Sequence, residues 1–157
     1  MQSDTDRIEK KILLRAPRAR VWLALTDAAQ FGAWFGVRLD RPFVEGQSST
    51  GLRVEGSGTG SCEGPLVLRI ASIVPERHFS FRWHPVRDDP AVVDYAAEPT
   101  TLVVFTLEER PEGTLLTVTE SGFDRVPPAR RARAFTTHQQ GWPIYAGRLE
   151  EHLAHAR

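Results

Sequence analysis

The sequence predicts an α+β domain in which a curved antiparallel sheet grips one long C-terminal helix. Three observations point there. A strand-like segment and two short helical segments open the chain, four segments of alternating apolar residues fill its middle, and a long stretch with apolar residues at threes and fours closes it. That order gathers the helices on one face of an antiparallel sheet.

Ile8, Lys10, Ile12 and Leu14 alternate with Glu9, Lys11 and Arg15, a first strand on which Leu13 is the one apolar residue of the more polar side. Pro17 suits the first turn of a helix, because it lacks only a donor that would be unpaired there, and Val21, Trp22 and Leu25 follow at helical spacing. Asp27 with Gln30 three residues later is a capping-box variant opening a second short helix, which carries Phe31, Trp34 and Phe35 and stops at Gly36. From Arg38 to Gly60 the pattern weakens, although Val37 to Phe43 and Leu52 to Val54 each allow a short strand.

Leu66, Leu68 and Ile70 mark the next strand and Phe79, Phe81 and Trp83 its partner, with "VPERH" as the turn. Val103, Phe105 and Leu107 mark another, and Leu116 and Val118 the last, separated by "EERPEGT". Phe135, His138, Trp142, Tyr145, Leu149 and Leu153 then define a helix from Pro128 to near His155, roughly 40 Å long at about 1.5 Å per residue. Within "QQGWPIYAGRLEEHL", Pro143 has no amide donor for the Gln139 carbonyl, so this helix is expected to kink over the curved sheet. Gly141 beside it is expected to let another backbone or a ligand approach closely, and the bent helix to roof a hydrophobic cavity. Repeats and linker-like stretches are lacking, so residues 1–157 read as a single domain.

Charged residues make up 25% and hydrophobic residues 41%, which speaks against disorder and against membrane spans. Lys+Arg and Asp+Glu both number 20, and a nucleic-acid binder would show a basic excess. The single cysteine, Cys62, has no internal disulfide partner, and "MQSDTDRIEKKILL" lacks the apolar run of a signal peptide, so a cytoplasmic setting is expected. Oligomeric state is not legible.

Aromatic side chains from three regions converge on the space between sheet and helix: Trp34 and Phe35, then Phe81, Trp83 and Phe105, then Trp142 and Tyr145. Either they form a packed core, or they wall a ligand site, being apolar with few polar groups. Glu120 in "LTVTESGF" shares strand parity with Leu116 and Val118. It therefore either points inward, where a carboxylate needs a partner, or reaches solvent if the strand ends or bulges near Gly122. Inward, it would anchor a ligand or move protons.

His84 and Arg82 fall on the face opposite Phe81 and Trp83, where they either face solvent or take a role at the strand end, His84 being with Glu120 a candidate proton carrier for an enzyme. His152 and His155 suit the last helical turn through the helix dipole. Neither HExxH nor paired CxxC occurs, so no metal or cofactor is expected. "EGSGTGSCEG" fits no phosphate-loop spacing, no GxSxG elbow is present, and catalytic residues stay unassigned. The connection from Pro85 to Pro99 has the length of a binding loop, with Asp94 and Tyr95 either lining an entrance or tethering the loop.

The blocks "APRARVWLALTDAAQFGAWFG", "FSFRWHP", "TTLVVFTLEE", "GTLLTVTESGFD" and "GWPIYAGRLEEHL" together resemble bacterial single-domain homologues of the activator of heat-shock-protein-ninety ATPase. These belong to the START or Bet-v-type (SRPBCC) helix-grip superfamily. The resemblance implies a seven-stranded antiparallel sheet, two small helices between its first two strands, and a C-terminal helix enclosing a hydrophobic pocket. Its functional range covers ligand carriers, sensors, cyclases and chaperone cofactors, and fold alone does not choose among them. The leading expectation is binding of a small hydrophobic or amphipathic molecule, with a cyclase-like or dehydratase-like enzyme and a chaperone co-activator as alternatives.

Overall fold

The computed structural model describes residues 6–53, 66–85 and 98–155. Strand β1 (Arg7–Leu14) leads into helices α1 (Arg18–Thr26) and α2 (Ala28–Phe35). Strands β2 (Val37–Leu39), β3 (Ser48–Arg53), β4 (Leu66–Val74), β5 (His78–Trp83), β6 (Thr101–Arg110) and β7 (Gly113–Ser121) follow, and α3 (Pro128–His155) closes the chain. The seven strands form one antiparallel sheet in the order β1-β7-β6-β5-β4-β3-β2. The first strand thus lies beside the last, with Ile8 opposite Glu120.

Alternation along the strands decides which side chains meet the helices. On β5, Phe79, Phe81 and Trp83 are buried; on β6, Val103, Phe105 and Leu107; on β7, Leu116, Val118 and Glu120. Leu13 on β1 is exposed, as the parity of that strand requires. Phe31, Trp34 and Phe35 of α2 and Ala134, Trp142, Leu149 and Leu153 of α3 cover the sheet's inner face.

Turn chemistry is tighter than the sequence suggests. β6 and β7 extend to Arg110 and Gly113, so only residues 111–112 join them. A Cβ on Gly113 would sit 2.1 Å from the Leu14 carbonyl oxygen, so glycine is needed where this hairpin meets the end of β1. Residues 75–77 join β4 to β5, with Glu76 at φ 60°. The strand expected around Leu52 starts earlier, at Ser48, while that expected from Val37 to Phe43 stops at Leu39.

Three local expectations need correction. Asp27 stands at the N-cap of α2 but makes no side-chain capping bond; its backbone N–H instead closes α1 onto the Leu23 carbonyl at 2.9 Å. No described backbone comes close to Gly141, since a Cβ there would meet no described atom within 4 Å. The charge expected of His152 in the last turn is opposed: burial and then the Arg20 charge hold its ring below the usual 6.5. The C-terminal end of α3 is instead capped by the Arg20 guanidinium, which donates to the Leu153 carbonyl. Gly36, at φ 89°, stops α2 as expected. Val54, Cys62, the glycine-rich stretch around Gly56, Gly58 and Gly60, and Asp94 with Tyr95 lie outside the described residues.

Candidate functional site

Strand register builds one corner of the site. Trp83 on β5 lies opposite Thr101 on β6, and Val103, two residues on, lies opposite Glu120 on β7. Trp83, Thr101 and Glu120 therefore share the inner face of three adjacent strands. α3 adds His138 and Trp142, four residues apart on one helical face.

These side chains converge on the Glu120 carboxylate, which is fully buried. Trp83 Nε1–H and Thr101 Oγ1–H donate to Oε2 at 2.8 and 2.5 Å. Trp142 Nε1–H donates to Oε1 at 2.9 Å, and His138 Nδ1 spans Oε1 and Oε2 at 2.8 and 2.9 Å. The other ring nitrogen of His138, Nε2, lies 2.9 Å from the Pro85 carbonyl oxygen. Burial alone would push Glu120 up, but the His138 charge and the bonds from His138, Thr101 and Trp83 outweigh it and hold the carboxyl below its ordinary 4.5. The strand has not ended by Glu120, and the inward alternative is the one realised.

Around this corner the rings form a continuous layer. Trp83 stacks on Trp142 with centroids 5.7 Å apart, Trp142 meets Phe105 edge-on at 5.9 Å, and Phe81 touches both Trp83 and Phe105. Phe35 approaches Trp83 at 5.8 Å and stacks flat on Tyr145 at 4.2 Å. Trp34 is set apart: its indole donates to the Ala24 carbonyl at 2.8 Å and packs against Phe31 and Phe35. The structure thus joins Trp83, Glu120 and Trp142 directly, with Phe81, Phe105, Phe35 and Tyr145 beside them, and sets Trp34 against Phe31 and Phe35 with its indole turned to α1.

His138 and Thr101 escaped the sequence reading as site residues. Each had a signal: His138 precedes Trp142 by one helical turn, and Thr101 shares parity with Val103 and Phe105. Arg82 and His84 are half-buried, and Arg82 reaches Thr100 at 3.4 Å. A surface groove of 890 Å³ runs between α2, β2 and Arg148, and another of 680 Å³ lies beside the β6–β7 turn; neither is lined by Glu120 or its donors. Among the described residues, no group of three or more His, Cys, Asp or Glu is placed to hold a metal ion, and no helix is long and apolar enough to cross a membrane.

The family model described as "Activator of Hsp90 ATPase homolog 1-like protein" matches residues 15–154. The chain belongs to this family. Comparison with curated proteins found no match. Among solved structures, protein MLL2253 from Mesorhizobium loti is similar with TM-score 0.73 and 24% identity, covering 96% of this chain and 98% of that one. The Aha1 dimer from Colwellia psychrerythraea has TM-score 0.68 and 18% identity over 94% and 95% of the two chains. DynU16, described as a putative protein in the dynemicin biosynthetic locus, has TM-score 0.70 and 27% identity; the match covers 97% of this chain but 48% of DynU16. The AHSA1-like chain therefore spans about half the length of that relative. These likenesses agree with the helix-grip architecture of sheet, paired short helices and long closing helix.

Proposed function

We propose that this AHSA1-like protein binds a small, largely apolar or amphipathic molecule between the aromatic sheet face and α3. The observation that carries the reading is the ring layer from Phe105 to Tyr145 with one buried polar cluster, Glu120 with its four donor side chains, at its edge. Apolar walls with a few convergent polar groups are what ligand sites present. Phe35, Phe81, Trp83, Phe105, Trp142 and Tyr145 are the side chains that would line the ligand. Trp34 would support the wall through Phe35, without touching the ligand.

The cyclase-like or dehydratase-like alternative loses ground on geometry. Glu120 is held ionised with both oxygens accepting from protein donors, and both nitrogens of His138 face protein acceptors, so with α3 docked neither group is aimed at a substrate. A thermal-shift screen of lipids, aromatic polyketides and flavonoids tests the binding reading. A ligand at 100 times its Kd should stabilise the fold by about 2.7 kcal/mol, a shift of several degrees for a domain this size. No shift with any class would remove the reading.

The family match supports a second reading, association with an Hsp90-type ATPase. It is tested by the ATPase rate and co-migration of that chaperone with the protein, and an unchanged rate without co-migration removes it.

A further inference from the structure

We propose that the N-terminal half of α3 is a hinged arm, latched to the sheet by an imidazolium–carboxylate pair between His138 and Glu120 and released when the ring loses its proton. A carboxylate and a backbone carbonyl can only accept, and His138 presents Nδ1 to Glu120 at 2.8 Å and Nε2 to the Pro85 carbonyl at 2.9 Å. Neutral imidazole has one donor, so both contacts are hydrogen bonds only when the ring carries both protons.

Among the described residues, Glu120 from β7 is a charged group in direct contact with the ring. From β5 the ring meets Trp83 at 5.5 Å, from the short 3-10 turn Phe123 at 5.7 Å, and on its own helix Trp142, which shares the same carboxylate. The His138 side chain is 11% exposed, enough for proton exchange with solvent. Losing the ring proton would leave the buried carboxylate with neutral donors but no opposite charge, and one of the two His138 acceptors without a donor, which disfavours the docked state.

The two halves of α3 are held differently. Beyond Gly147, Leu149 and Leu153 are buried and Arg20 caps the end. Before Gly141 the buried hydrophobic residue is Ala134, with Phe135 packed edge-on against Phe123 at 5.4 Å; the arm's other contacts among the described residues are polar, Arg130 pairing with Glu98 at 2.6 Å and Arg131 donating to the Val126 and Asp124 carbonyls at 3.1 and 2.8 Å. Between the halves stand Gly141, Pro143 and Gly147. A Cβ at either glycine would meet no described atom within 4 Å, so packing does not demand glycine there, and each costs a helix about 1 kcal/mol relative to Ala. Pro143 removes the bond to the Gln139 carbonyl. This segment is composed for bending, and an arm of about a dozen residues, once undocked, is marginal as a helix.

The test needs no ligand, so it stands or falls apart from the binding proposal. Nitrogen NMR of the His138 ring and amide-exchange protection factors along α3 would be followed from about pH 6 to about pH 9. Expected are two protonated ring nitrogens at the acid end, and a loss of protection of about tenfold or more over residues 131–140 as the ring titrates, with residues 149–153 unchanged. Glu120→Gln should leave the arm poorly protected at every pH. Should that variant not fold, the Gly141→Ala/Gly147→Ala pair, which keeps the latch, should raise arm protection several-fold at the alkaline end. A bare ring nitrogen at about pH 6, protection that stays flat while the ring titrates, equal loss in both halves, or no gain from the alanines would each overturn the proposal.

Discussion

Glu120 shows how one buried carboxylate is made tolerable. Its four donor side chains come from two neighbouring strands and from α3, so the charge is satisfied only when helix and sheet are assembled together. Glu120→Gln removes the charge while leaving His138 and two indoles aimed at the site, and should cost about 3–5 kcal/mol in urea unfolding at neutral pH. Glu120 titrates lower in the folded chain than in the unfolded one, where the carboxyl follows the ordinary 4.5. Its contribution from ionisation is therefore fully present just above pH 4.5 and is lost as pH falls through the folded value, so wild type and variant should converge on acidification. His152 also titrates lower when folded, from 6.5, so the wild type loses stability as pH drops below 6.5 and His152→Gln should gain on it there. The inward direction of Glu120 was readable from strand parity. Its partnership with His138 was not, because strand and helix positions 18 residues apart meet only through a tertiary register that no local pattern encodes.

At the scale of elements, two glycines with the same propensity argument behave oppositely. Gly141 faces open space, so Gly141→Ala should raise the melting temperature, with a gain of up to about 1 kcal/mol. Gly32 in α2 would place a Cβ 2.3 Å from the Val37 carbonyl oxygen, a backbone atom that cannot turn aside, so Gly32→Ala should lower it despite the better helix former. A rise for Gly32→Ala would mean that α2 and β2 are less tightly docked than described. The central strands were legible because each buries one face and exposes the other. β2 and β3 were blurred, since Gly51 is buried and Leu52 is 61% exposed, reversing the expected contrast. The Asp27 cap misled because its extended backbone serves the end of α1.

For the whole molecule, the aromatic layer is both the core of the fold and the proposed wall of the site, so stability and binding share the same side chains. Phe105→Ala should cost about 3–5 kcal/mol if the rings cannot close over the gap, read by chemical denaturation. A ligand that fits the vacated ring should restore part of that loss. The architecture of sheet and long helix was legible from periodicity and from the family resemblance. Which rings touch was not, because that depends on how closely α3 settles on the sheet. Two of the four tryptophans in the chain donate to the same carboxylate. Indole emission responds to nearby charge and to hydrogen bonding, so the protein carries an intrinsic optical gauge, and any event that lifts the closing helix should register as a colour change without a label.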